Sequence, residues 1–357
     1  MSFILKWDIT YKCSLKCNHC MNGKLLGDID GELTTNQVFT ALENLSRCDI
    51  SHIQLLGGEP LQRNDIIDIF NKFEQLKIPY GFNTNGLKLN QPLLLKYIEE
   101  NKSLRRIVCS LDGPTKEIND MIRGKNVFDK VCHNLMILND LIKAKKLNIE
   151  TIINFVICQK NKNYIEDMVR LCIDLGMDSI SFLELIVQGN ALQNDSLTDE
   201  ETIDVALEIA KVHEKYQNKI KIIPQFARPL MRDYISKRYA VDLPTVSHMC
   251  GAGVNFGYID NKGILYPCDR FADMISGRVK SNIYNLTKNK FAEIWQKNLY
   301  SLPYERYSSE EYSKLSPCNE CSYFKESCFP CYLVYKNEMT LCKKIFNDMR
   351  DTYEQDN

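Results

Sequence analysis

Six short apolar runs alternate along the chain with six longer segments whose apolar residues recur every three or four positions. The runs are Ile4 to Ile9, His52 to Leu56, Pro79 to Asn83, Arg106 to Leu111, Asn148 to Phe155 and Ser179 to Leu185. They read as strands. The segments Thr35 to Ser46, Asp65 to Leu76, Gln91 to Glu100, Val127 to Ala144, Tyr164 to Leu175 and Asp199 to Tyr216 read as amphipathic helices. Thr34 or Thr35, and Asn64, stand where N-caps are expected. Six β–α units in series predict a parallel sheet with right-handed crossovers. Functional loops then collect at the C-terminal ends of the strands.

The pattern changes after about residue 235, which predicts two domains, 1–235 and 236–357. Phe256 to Asp260, the turn Asn261-Lys262-Gly263 and Ile264 to Pro267 read as a β-hairpin. Phe291 to Leu299 reads as a short helix, and Leu302 to Pro330 as a cysteine-rich loop. Leu333 to Arg350 reads as a terminal helix carrying Cys342. A segment with so little continuous apolar pattern needs staples.

Charge narrows the function. The net charge of the 357 residues is −1, with both signs interspersed, so nucleic acid is not the expected partner. No apolar run has the length of a membrane span. The N-terminus carries neither a signal peptide nor a lipidation motif, and the expected location is the cytoplasm. Cysteine usage then points to metal. Of fifteen cysteines, Cys48, Cys109, Cys132, Cys158 and Cys172 are dispersed among apolar neighbours and read as small buried hydrophobes. The other ten are clustered, which in a long cytoplasmic chain suggests metal ligands.

The first cluster is Cys13-x3-Cys17-x2-Cys20, directly after the first strand. Three thiolates can hold three corners of a cubane [4Fe–4S] cluster, leaving the fourth iron open. Alone, the triplet would also suit an incomplete zinc site. Three further motifs follow strands in turn: Gly57-Gly58-Glu59-Pro60, Asn83-Thr84-Asn85-Gly86 and Ser110-Leu111-Asp112-Gly113. The pattern brings all four to one face. The two glycines let the backbone approach a ligand closely, and Glu59 offers a carboxylate for an ammonium group.

Together these motifs resemble the radical S-adenosylmethionine (SAM) enzymes. The later cysteines resemble the SPASM extension of that family. Cys250 is followed by twelve residues, Gly263, four residues and Cys268; then come Cys318-x2-Cys321-x6-Cys328-x2-Cys331 and, after ten residues, Cys342. The family's inner spacings are five and three where this chain has six and two. Cys328 therefore stands one residue out of register. Paired Cys-x2-Cys also suits zinc, but seven cysteines do not divide into two closed four-cysteine sites. The resemblance spans essentially the whole chain.

The resemblance implies an α/β fold: a partial (β/α)6 TIM-like barrel followed by a cysteine-rich α+β SPASM domain. It implies SAM and three [4Fe–4S] clusters. Cys13, Cys17 and Cys20 would hold the first. Cys250, Cys268 and Cys331 would hold one auxiliary cluster, and Cys318, Cys321, Cys328 and Cys342 the other. The first auxiliary set is one ligand short. Its remaining iron is either open or bound by a group such as His248. Glu59 with Gly57, Gly58 and Pro60 would hold the SAM amino group, and Ser110 and Arg123 its carboxylate. A strand-end serine and a solvated arginine are the plainer readings of those two. His19, before the third cysteine, would lie near the adenine. Asp269 follows Cys268 and is either the base that takes a substrate proton or a turn residue.

The implied activity is SAM cleavage to a 5′-deoxyadenosyl radical that removes a hydrogen atom from substrate. The first expectation is modification of a ribosomally made peptide or protein side chain, by a thioether or carbon–carbon crosslink. Anaerobic sulfatase maturation, and dehydrogenation or epimerisation of a carbohydrate-derived molecule, are the alternatives. Expected partners are a peptide or protein substrate, a flavodoxin- or ferredoxin-type electron donor and a separate leader-binding protein.

Overall fold

A computed structural model describes residues 2–244, 249–270, 272, 283–296, 316–329 and 340–349. Cys331 and His248 lie outside the described residues, as do 297–315 and 330–339.

The barrel elements run β1 (Phe3–Thr10), α1 (Thr35–Leu45), β2 (Ile50–Gly57), α2 (Ile66–Leu76), β3 (Tyr80–Thr84), α3 (Pro92–Glu100), β4 (Leu104–Ser110), α4 (Lys116–Arg123), α5 (Phe128–Lys145), β5 (Glu150–Ile157), α6 (Ile165–Asp174), β6 (Ser179–Glu184), α7 (Asp199–Tyr216), β7 (Lys221–Pro224) and α8 (Pro229–Tyr239). Then follow β8 (Phe256–Ile259), β9 (Leu265–Tyr266) and α9 (Phe291–Trp295). Residues 340–349 are helical.

All strands join one nine-stranded sheet, in the order β7-β6-β5-β4-β3-β2-β1-β8-β9. β1 to β7 are parallel to their neighbours. The six expected strands are present. β7 has only four residues and ends in a proline, too short for its pattern to stand out. The hairpin is present as β8 and β9, and β8 extends the barrel sheet by pairing parallel to β1. The anticipated boundary at 235 falls inside α8.

The helices bury one stripe each. Val38, Ala41, Leu42 and Leu45 of α1, and Ile66, Ile69, Phe70 and Phe73 of α2, repeat the i, i+3, i+4, i+7 spacing of an apolar face. They pack on Leu5, Trp7, Ile9, Ile53, Leu55, Tyr80 and Phe82 in one core. Burial of each large apolar side chain stabilises the fold by roughly 1.5–3 kcal/mol. Thr34 caps α1 through a capping box with Gln37. Asn64 does not cap α2. Asp65 holds the N-cap position, and its carboxylate accepts from Arg63 and Thr35 rather than capping the helix.

The other, concave face is different. Strand alternation places Lys6, Gln54, Asn83, Ser110, Asn154 and Ser181 there, one residue from each of β1 to β6. Register aligns Lys6 with Gln54, Ser110 with Asn154, and Asn154 with Ser181. Five of the six are half-buried, and Ser181 is buried.

Candidate cofactor and cluster site

The C-terminal ends of β1 to β4 meet at one place. The cysteine loop leaves β1 and folds back through Asn22, whose amide donates to Asp8 Oδ2 at 2.9 Å and to the Gly57 carbonyl at 3.3 Å. Cys13 and Cys20 are half-buried and Cys17 is buried. Burial raises the pKa of all three, that of Cys20 to about 11; neighbouring thiolates add to it at Cys13 and Cys20, and Asp112 does at Cys17 against the pull of Arg123. Three such thiols ionise together only beside compensating positive charge.

Gly57 and Gly58 bring the end of β2 against the start of the cysteine loop. Gly58 N–H donates to Thr10 O, and Glu59 N–H to Lys12 O, both at 2.7 Å. A Cβ on Gly57 would stand 2.1 Å from Thr10 O, and one on Gly58 2.3 Å from Lys12 O. Gly57 also has φ +125°, a conformation that disfavours any side chain. The close approach these glycines permit is to the cysteine loop itself.

Glu59 is almost fully buried. Its Oε1 accepts from Leu61 N–H at 3.1 Å and Thr84 hydroxyl at 2.9 Å, and its Oε2 accepts from Asn85 N–H at 2.6 Å. Burial pushes its pKa up against those three donors. Glu59 thus clamps the loop after β2 to the loop after β3, and Oε2 retains capacity for one further donor. Pro60 opens the short turn that follows. Asn85 in turn places its amide 4.0 Å from Cys13 Sγ.

Ser110 ends β4, half-buried. Arg123, the last residue of α4, is buried and not solvated. Its Nη1 donates to Asp112 Oδ2 at 2.5 Å, while its Nε is buried with no protein partner. His19 Nε2 lies 2.9 Å from the same Oδ2, and its Nδ1 is likewise buried without a partner. Asp112 therefore joins two candidate residues. It was visible in the Ser-Leu-Asp-Gly run but carried no role there.

Asp269 makes the turn contact and an ion pair that the sequence did not suggest. Its Oδ1 accepts from Arg270 N–H at 3.0 Å, the turn bond. Its Oδ2 pairs with Lys6 Nζ of the concave face, also at 3.0 Å. Burial alone would raise its pKa, but Lys6 outweighs this and holds the carboxyl below its ordinary range.

Cys318, Cys321, Cys328 and Cys342 line one small cavity with Arg228. Cys328 reaches it despite its shifted spacing. Burial pushes Cys328 up to about 12, against the pull of the Arg228 charge. Cys250 precedes β8 and Cys268 follows β9, and both are half-buried. A larger cavity of about 530 Å³ opens at the ends of β5 to β7. Arg228, Arg270 and Glu184 line it together with residues 340 and 341.

Residues 7–172 match the Radical SAM superfamily, and residues 250–322 match SPASM, the iron–sulfur cluster-binding domain. The chain is a radical SAM enzyme with a SPASM domain. It is 24% identical over 332 residues to an AdoMet-dependent heme synthase of Oleidesulfovibrio alaskensis, covering 90% of this chain and 80% of that one. It is 24% identical over 321 residues to the PqqA peptide cyclase of Bradyrhizobium diazoefficiens, covering 88% and 77%. Its fold is similar to the crystal structure of Streptococcus suis SuiB, with a TM-score of 0.72 at 18% identity, covering 93% of this chain and 73% of SuiB. No helix among the described residues is long and apolar enough to cross a membrane.

A radical SAM domain implies SAM and a [4Fe–4S] cluster, and a SPASM domain implies further iron–sulfur clusters. The residues fit both. Among the described residues, no three Cys, His, Asp or Glu side chains are grouped to chelate one ion. A cubane needs a wider array, because each thiolate holds a different iron. The orphaned Arg123 Nε offers a donor for a carboxylate.

Proposed function

We propose that this radical SAM enzyme modifies a ribosomally made peptide or protein side chain, forming a thioether or carbon–carbon crosslink. One observation carries the reading. The concave face beneath the cysteine loop offers Gln54, Asn83, Ser110, Asn154 and Ser181, all neutral hydrogen-bonding groups. Gln54 Nε2 donates to Asn83 Oδ1 at 2.8 Å, which orients both amides. Amides and hydroxyls match the alternating donors and acceptors of a peptide. The cation of this row, Lys6, is paired with Asp269. The alignment with a peptide cyclase over most of both chains supports the same reading.

Bound SAM and its cluster supply a 5′-deoxyadenosyl radical that takes a hydrogen atom from the substrate. The protein's part is to hold, orient and exclude water. Cys13, Cys17 and Cys20 would hold the first cluster, and Arg123 and Ser110 the SAM carboxylate. Two auxiliary clusters would be held by Cys250, Cys268 and Cys331, and by Cys318, Cys321, Cys328 and Cys342. Asp269, held ionised by Lys6, would take the substrate proton. A flavodoxin- or ferredoxin-type protein would deliver the electron, and a separate leader-binding protein would present the peptide.

The test is anaerobic incubation of the cluster-loaded enzyme with SAM, a reductant and the short peptides encoded beside its gene. We expect 5′-deoxyadenosine, and a peptide lighter by two hydrogen atoms per bond formed. SAM cleavage stimulated by a tetrapyrrole and by no peptide overturns the reading. Conversion of a sulfatase-derived peptide to formylglycine, for which Asp269 beside Cys268 would serve, moves it to sulfatase maturation.

A further inference from the structure

Asp112 is fully buried behind the cysteine loop and is fixed from several sides. Its Oδ1 accepts from Val156 N–H at 2.8 Å. Its own N–H donates to Asn119 Oδ1 at 3.0 Å, and its carbonyl accepts from Asn161 Nδ2 at 3.1 Å. The remaining oxygen, Oδ2, serves Arg123 Nη1 and His19 Nε2 together. Burial works to raise the pKa of this carboxyl, but His19 and Arg123 outweigh it and hold it well below the ordinary range.

An ionised carboxylate only accepts. Nε2 of His19 therefore carries a hydrogen in this contact, and Nδ1 is the ring nitrogen left over. Arg123 spends Nη1 on the same oxygen and keeps its Nε–H. Both left-over nitrogens are buried without a protein partner. Buried polar atoms of this kind are uncommon unless something else satisfies them. SAM carries donors and acceptors alike, in its amino and hydroxyl groups and in its carboxylate.

We propose that Asp112 is a positioning residue for SAM: its Oδ2 fixes both His19 and Arg123, so that their two orphaned nitrogens face the cofactor. Asp112 itself touches no cofactor atom. The proposal concerns the cofactor site alone and holds whichever substrate the enzyme modifies.

The test measures SAM affinity by anaerobic equilibrium dialysis, with iron and sulfide content checked for each variant. Asp112→Asn should bind SAM about tenfold or more weaker while keeping its iron, because two oriented hydrogen bonds are lost. In a His19→Phe, Arg123→Met background the same change should be nearly silent, since neither partner of the carboxylate is left to position. Affinity within about twofold of the parent in Asp112→Asn, or an equal loss in both backgrounds, overturns the proposal. If Asp112→Asn fails to assemble, the comparison of His19→Gln with His19→Phe decides. Glutamine supplies an N–H for Asp112 and keeps a second polar atom on the side chain, so it should bind SAM severalfold tighter than the phenylalanine variant. Equal affinities of these two refute the assignment.

Discussion

Tyr258 of the SPASM hairpin donates a hydrogen bond to Asp8 of the first barrel strand at 2.7 Å. The same Asp8 Oδ2 accepts from Asn22, two residues beyond Cys20. One buried carboxylate thus ties the hairpin and the cysteine loop to β1. Burial pushes the pKa of Asp8 up to about 7, against the pull of Tyr258 and Asn22.

That shift fixes a sign. Between its ordinary pKa and about 7, folded Asp8 keeps a proton that the unfolded chain has released. Stability should therefore fall as pH rises through this window and level off above it. Asp8→Asn keeps an acceptor for Tyr258 and cannot ionise. The loss of anaerobic melting temperature between about pH 5 and about pH 8 should be smaller in Asp8→Asn than in the parent. An identical loss in both would mean that Asp8 is ionised in the fold from low pH.

Gly57→Ala tests the close approach. A methyl 2.1 Å from Thr10 O, at φ +125°, leaves no room without moving the backbone. The cysteine loop should lose its seat on the β2 end. We expect the radical SAM cluster to be lost while iron held by the later cysteines is retained. Full iron content with normal SAM cleavage would show that the loop tolerates the shift.

Much of this was legible in the chain, and the exceptions have physical causes. Strand alternation and helical spacing are local, so β1 to β6 and their helices could be read directly. Spacing also named the cysteines, and Cys328 reaches the same cavity as Cys318 despite an altered interval. What could not be read was partnership across the fold. Glu59 looked available to a ligand, yet its three donors come from Leu61, Thr84 and Asn85. Arg123 could be read as a SAM contact or as a solvated arginine, and only the fold shows it buried against Asp112. Lys6 and Asp8 were the missed signal. Two charges alternating with Leu5 and Trp7, on a strand flanked by others, mark a polar concave face.

Glu59→Gln replaces one acceptor oxygen with an NH2 that must face a backbone N–H or the Thr84 hydroxyl. Leaving a buried donor unsatisfied costs about 1–3 kcal/mol. Because Glu59 clamps two loops, SAM affinity and cluster retention should fall together, and anaerobic melting should show the loss of stability. A drop in SAM affinity alone, with stability and iron unchanged, would make the ammonium contact the main role of this carboxylate.

Asp269→Asn separates the two roles of that residue. Asparagine keeps the shape and can still accept from Arg270 N–H, but it cannot take a proton at neutral pH. It also leaves Lys6 without its ion-pair partner. If Asp269 accepts the substrate proton, 5′-deoxyadenosine should still form while modified product falls about a hundredfold or more, the usual contribution of a positioned base. Lys6→Met is the control, because it removes the same ion pair and keeps the carboxylate. A matching fall in both variants would trace the effect to the broken pair. Full product yield in Asp269→Asn would leave Asp269 with the Arg270 turn and the Lys6 pair alone, and another group on the concave face would have to take the proton.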